Sequence, residues 1–220
     1  LTESDVLLAL GSSLTRTPYG QKVKPGKTLI HNTNNPDELN KDETVDIGLV
    51  GDTCLTIEAL IACIKAKTGG KGFGNRSQTE AAVAASKSKW MAEWTPALTS
   101  DDEPIAYYRV IQALNDTLDL ENSIVTHDAG APRDSIVPFY TATTPHSYIG
   151  WGKTTHLGFG IPLMIGAKMA APEKFCLNIM GDGAFGMSGT DIETAARSGV
   201  AITTVLLNNS AMATYSGPTQ

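Results

Sequence analysis

An apolar run from Phe175 to Met180 ends in Gly181-Asp182-Gly183, and a second, from Ala201 to Leu207, ends in Asn208-Asn209. Asn209 lies 27 residues beyond Asp182, and the stretch between them, Ser188 to Ser198, has helical spacing. A strand, helix and strand of these lengths predict a parallel crossover, since parallel strands need a connection of a dozen or more residues. Such crossovers are right-handed, so both polar tips emerge side by side at the carboxyl edge of one sheet. Taken alone, Asp-Gly and Asn-Asn are also ordinary turn chemistry. Set at adjacent strand ends, a carboxylate and an amide suit a hard divalent cation, and the glycines let a diphosphate approach the backbone.

This constellation resembles the Gly-Asp-Gly…Asn-Asn signature of thiamine-diphosphate enzymes, and the wider sequence is similar to their acetolactate synthase-like branch. The resemblance implies that Asp182, Asn209 and the main-chain carbonyl of Ala211 bind Mg²⁺. Two diphosphate oxygens and a water would complete its octahedron. Gly181, Gly183 and Ala184 would line the diphosphate, and the following helix, starting near Ser188, would add its dipole. Leu157 precedes Gly158-Phe159-Gly160, where the family places a large apolar residue between the two rings of the cofactor. That wedge holds the cofactor bent, which brings its amine to the carbon it deprotonates.

The turn Asp128-Ala129-Gly130 matches the family's diphosphate turn. There the sequence departs from the pattern. Ala131-Pro132-Arg133 stand where the synthases have Gln-His, so polar contacts are lost and Arg133 is read as a charged phosphate partner. Thr155 and His156 adjoin the wedge; Thr155 is taken as a cofactor contact and His156 as an acid–base group. His31, His127 and His146 are read as structural.

The fold class expected is α/β, with open parallel sheets flanked by helices. Residues 1–67 read as part of a Rossmann-like central domain, with runs Val6–Leu10, Thr28–His31 and Ile47–Val50 and then a helix capped by Thr53. Residues 68–100 hold a glycine-rich linker and an Ala-rich helix from Thr79 to Trp94, with Val83, Trp90 and Trp94 on one face and a Lys89–Glu93 pair. Residues 101–220 read as a doubly wound thiamine-diphosphate-binding domain, cut short at its end. Asp101 to Pro104 start a helix, Ser123 to Thr126 a strand, 131–145 a proline-bearing loop, and 157–167 a helix whose glycines fit it close to the sheet. Thr190-Asp-Ile-Glu193 fits a capping box.

Other classes are disfavoured. Net charge is −6 with no basic block, so neither nucleic acid nor a membrane surface is an expected partner. No apolar run approaches the roughly 20 residues that span a bilayer. Cys54, Cys63 and Cys176 lack metal-ligand spacing and read as buried thiols in a cytoplasmic protein. Gly20…Gly26-Lys27-Thr28 misses Walker spacing, and Gly158-Phe-Gly160 lacks the third glycine of a dinucleotide fingerprint.

The resemblance implies a carboligase that decarboxylates a 2-oxo acid and joins the product to a second carbonyl, working as a homodimer or tetramer. A decarboxylase, a 2-hydroxyacyl-CoA lyase, a glyoxylate carboligase or a stand-alone diphosphate-binding subunit remain open at this point. A strand is expected almost at once, from Asp5, and the chain stops eleven residues after Asn209. The expectation is a fragment, inactive by itself, without the pyrimidine-binding domain whose glutamate activates the cofactor.

Overall fold

The computed structural model describes residues 4–16, 22–72, 74, 76–150 and 156–211. The chain divides into two compact units, Leu1–Glu80 and Ala81–Gln220. The described residues of each unit form a three-stranded, all-parallel sheet flanked by helices. The fold is α/β, as expected.

In the first unit, β1 (Val6–Leu10), β2 (Thr28–Thr33) and β3 (Ile47–Val50) pair in sequence order. Helix α1 (Thr53–Thr68) packs on β2. Its cap is Asp52, correcting the expectation of Thr53. The Asp52 carboxylate accepts the Leu55 N–H at 3.0 Å, and a carboxylate is favoured at the positive end of a helix. Gly69, in the left-handed region, closes α1.

The polar tip of β2 is folded inward. His31, Asn32 and Thr33 are buried. Asn32 Nδ2 donates to the carbonyls of Leu49 and Gly51 and to Thr56 Oγ1, and Thr33 Oγ1 donates to Glu38. Cys54 and Cys63 lie on the exposed side of α1, so only Cys176 is the buried thiol predicted.

In the second unit, β4 (Ser123–His127), β5 (Phe175–Gly181) and β6 (Thr203–Leu207) form the sheet in that order. Helix α2 (Ser77–Leu98) spans the division between the units. It is followed by α3 (Tyr107–Thr117), α4 (Ala131–Ile136), α5 (Gly160–Ala170), α6 (Asp182–Ser188) and α7 (Asp191–Arg197). Side chains alternate along β5: Leu177 and Ile179 join Ile111, Val125, Ile136 and Leu207 in one apolar cluster. Met180 points the other way, into a cluster with Ile161 and Ala184. A parallel sheet covered on both faces needs this double burial.

Several local expectations fail for identifiable reasons. Trp90 and Trp94 do share a face, Trp90 stacking on Phe139 at 4.8 Å and Trp94 meeting Tyr108 edge-on at 4.9 Å. Val83 is exposed instead, and Lys89 and Glu93 form no ion pair among the described residues. Helix α3 starts at Tyr107 and not in the acidic run, where the Asp102 carboxylate is held in a local turn by Ser100. Part of the supposed loop is α4, which tolerates Pro132 in its first turn, where no intrahelical N–H bond is lost. The crossover helix between β5 and β6 is two short helices. The site of a Cβ on Gly189 lies 2.7 Å from the Phe185 carbonyl oxygen and 3.0 Å from its ring, so the break needs glycine. Thr190 is itself helical and makes no capping bond, and Glu193 pairs with Arg197 at 3.0 Å, so the capping box does not form.

Candidate functional site

The register of the second sheet assembles the site. Gly181 pairs with Leu207, so Asp182 and the Asn208-Asn209 pair leave neighbouring strands at the same edge. His127 pairs with Ile179, and the Asp128 N–H continues the ladder to the Ile179 carbonyl at 2.7 Å. A Cβ on Gly181 would lie 3.9 Å from Pro132 Cγ and 3.9 Å from the Leu207 oxygen, so the ends of all three strands converge there. Leu157 packs against Ile161, Met180 and Ala184, which brings a fourth segment to the same edge.

Helix α6 begins at Asp182 with Gly181 as its cap residue. This corrects the expected start near Ser188 and places Gly183 and Ala184 in the first turn, where amide N–H groups lack intrahelical acceptors. Asp182 is half-buried, and among the described residues its carboxylate has no hydrogen-bond or ion-pair partner. Asn209 is exposed, its Oδ1 accepting the Ala211 N–H at 3.1 Å, while Asn208 Oδ1 accepts the Ser210 N–H at 2.9 Å. A carboxylate, an amide oxygen and the Ala211 carbonyl are hard oxygen donors that fit Mg²⁺. No group of three or more His, Cys, Asp or Glu that could hold a metal is found among the described residues. Tyr107 is a neighbour that sequence spacing did not single out. Burial, and next the charge of Asp182, raise its phenol above the ordinary value.

The β4 turn is arranged differently. Asp128 is fully buried, its carboxylate accepting N–H groups from Ala129, Gly158 and Gly160. Gly130, with φ 86°, turns the chain into α4 and sets Ala131 at its first position. Arg133 Nε donates to Asp134 Oδ1 at 2.7 Å, so its charge is partly engaged.

Burial depresses the His127 imidazole below its ordinary value, and its Nδ1 lies 3.1 Å from the Asp128 carbonyl. Its ring centroid lies 5.6 Å from that of Tyr148 and 6.3 Å from that of Phe159. His31 is buried too, whereas His146 is exposed. His156 is exposed and rests against the Phe159 ring at 5.3 Å. Thr155 lies outside the described residues.

Comparison with known proteins shows what the chain is similar to. Residues 128–220 match the family described as thiamine pyrophosphate enzyme, C-terminal TPP binding domain, so this part of the chain is similar to a thiamine-diphosphate-binding domain. The chain as a whole resembles the acetolactate synthase-like branch of these enzymes. It is 27% identical to a probable acetolactate synthase large subunit of Methanococcus aeolicus, over 95% of this chain and 36% of that protein. It is 25% identical to the acetolactate synthase isozyme 1 large subunit of Escherichia coli K12, over 96% of this chain and 36% of that protein. A sulfoacetaldehyde acetyltransferase of Rhodobacter capsulatus is 26% identical over 95% of this chain and 38% of that protein. The chain thus spans about a third of the length of the curated relatives it matches. No helix among the described residues is long and apolar enough to cross a membrane.

Proposed function

We propose that the chain forms the diphosphate half of the active centre of an acetolactate synthase-like carboligase. The carrying observation is the Gly181–Leu207 register, which sets the Asp182 carboxylate, without a hydrogen-bond or ion-pair partner among the described residues, beside the Asn209 loop at one sheet edge. In this reading Asp182, Asn209 and the Ala211 carbonyl hold Mg²⁺, and the metal neutralises the diphosphate of thiamine diphosphate. Main-chain N–H groups of Gly183 and Ala184, at the positive end of α6, meet diphosphate oxygens directly. Gly181 lets the backbone approach, and Gly130, Ala131 and Arg133 close the other side. Arg133 supplies charge in place of the missing polar pair, although Asp134 already holds one face of it.

The bound cofactor supplies the carbanion chemistry that removes CO₂ from a 2-oxo acid and attacks a second carbonyl. Leu157, packed on Met180 and Ala184, gives the apolar surface against which the cofactor is kept bent. His156 is open to solvent at the neighbouring position, placed to exchange a proton with substrate, and Thr155 adds a cofactor contact. Residues 1–67 serve as part of the central domain and 101–220 as the cofactor domain, joined through 68–100. The enzyme acts in the cytoplasm as a homodimer or tetramer on a small 2-oxo acid.

Titration calorimetry of the full-length protein tests the site. Thiamine diphosphate should bind only with Mg²⁺ present, and Asp182→Ala should weaken that binding at least about a hundredfold, as expected when a metal-bound carboxylate is removed. Binding indifferent to both metal and substitution would overturn the reading. Pyruvate consumption with formation of a carboligated product then tests the reaction.

A further inference from the structure

The wedge segment carries a structural debt that its own sequence does not meet. Helix α5 begins at Gly160 after Phe159, a residue whose side chain makes no capping bond. The first N–H groups of a helix need acceptors from elsewhere. Here they come from a residue more than thirty positions upstream. Asp128 Oδ2 accepts the Gly160 N–H at 3.0 Å, while Oδ1 accepts Gly158 N–H at 3.0 Å and Ala129 N–H at 2.8 Å. A carboxylate at a helix N-terminus is favoured by the helix dipole, and hydrogen bonds to it are charge-assisted.

The same turn is fixed from two further sides. At Gly158, with φ +89°, an added Cβ would lie 3.2 Å from Met187 Cβ and 3.4 Å from Ser188 Cβ, so α6 lies close against it. At Gly160 an added Cβ would meet Asn178 Oδ1 at 2.2 Å, so β5 lies directly against it. Leu157 is the residue immediately before this pinned turn. With both oxygens engaged by amides and no exposed surface, the Asp128 carboxylate is poorly placed to meet a ligand.

We propose that Asp128 is a positioning residue: its buried carboxylate clamps the Gly158–Gly160 turn to the end of β4 and so sets the place of Leu157 in the cofactor pocket. This rests on the reading of Leu157 as the cofactor wedge. A pocket-lining group must be held to within about 0.5 Å to act, and a wedge on an uncapped helix end would not be. Asp128 therefore acts through Leu157 and not by touching the cofactor.

The test uses the full-length protein with two variants. Asp128→Asn keeps the shape but turns one acceptor into a donor facing a main-chain N–H. In the cofactor-free variant, hydrogen exchange at Gly158 or Gly160 should be at least about tenfold faster. With thiamine diphosphate and Mg²⁺ supplied, the circular-dichroism band of the bent cofactor should weaken and its dissociation constant should rise. Leu157→Ala should lose the same band while exchange at both glycines stays as in the wild type. Unchanged exchange in Asp128→Asn overturns the clamp. Faster exchange with an unchanged band overturns its link to the cofactor. A band that survives Leu157→Ala overturns the wedge itself, and does so without altering the exchange result. If Asp128→Asn does not fold, through-hydrogen-bond couplings from the Gly158 and Gly160 nitrogens to the Asp128 carboxyl carbon in the wild type decide the clamp, and their absence overturns it.

Discussion

The two sheets of this chain share a plan and use their carboxyl edges in opposite ways. In both, three parallel strands pair in sequence order. At the tip of β2 the polar side chains turn inward: Asn32 ties the end of β3 to α1, and Thr33 holds Glu38. At the tips of β5 and β6 they are left open, with Asp182 lacking a hydrogen-bond or ion-pair partner among the described residues and Asn209 exposed. The second sheet contains the same contrast within itself. Asp128 and Asp182 follow neighbouring strands, yet among the described residues one carboxylate satisfies three amides and the other satisfies none. Topology makes the edge, but which polar groups the backbone has already claimed decides where a ligand can be held.

The contrast between the two aspartates is the easiest to break. Asp128→Ala should destabilise the protein by about 3 kcal/mol, because buried N–H groups lose a charged acceptor. Asp182→Ala should stay within about 0.5 kcal/mol, as a substitution that breaks no hydrogen bond or ion pair among the described residues. Chemical denaturation of both variants without cofactor checks this, and equal losses would erase the distinction.

Next in size is Gly160→Ala, expected to cost about 2 kcal/mol because its Cβ must displace the buried Asn178. Adding Asn178→Ala should recover part of that loss in a double-mutant cycle. Additive losses would show that the contact is not what constrains the glycine.

In the first unit, Asn32→Ala should cost about 1.5 kcal/mol by leaving the Leu49 and Gly51 carbonyls short of a donor, without changing thiamine-diphosphate affinity. A change in that affinity measured by calorimetry would contradict the division between a closed edge and an open one.

The smallest effect concerns pH. Burial lowers the His127 pKa below the ordinary 6.5, so the unfolded chain takes up a proton before the folded one does. Its contribution to stability is therefore complete above about pH 6.5 and declines as pH falls through that value toward the folded pKa. Melting curves between about pH 7 and pH 5 should show this slope in the wild type and a flatter one in His127→Gln.

Much of the carboxyl edge of the second sheet was legible in the sequence because it is local. Apolar runs that end in Gly181-Asp182-Gly183 and Asn208-Asn209 with a helical stretch between them suit neighbouring parallel strands, and the register of Gly181 with Leu207 follows that pattern. Helix boundaries were less legible wherever a side chain had two possible uses. Asp102 could cap a helix or close a turn, and Thr190 could cap or continue one, and packing decided both. Gly189 reads as a flexible position in sequence, whereas in the fold it is the residue that lets Phe185 sit against the chain and splits the crossover.

By itself the sequence determined the βαβ crossover, the placing of Asp182 and Asn209 at one edge, and the likeness that names the cofactor. Periodicity and strand-end spacing are short-range properties and survive in a linear string. Only the tertiary structure decided which aspartate stays open. Asp128 and Asp182 both follow a strand and precede a turn with glycine, and nothing local separates them. The difference arises because the start of α5, with no cap of its own, folds back onto β4 and presents its amides to Asp128 alone.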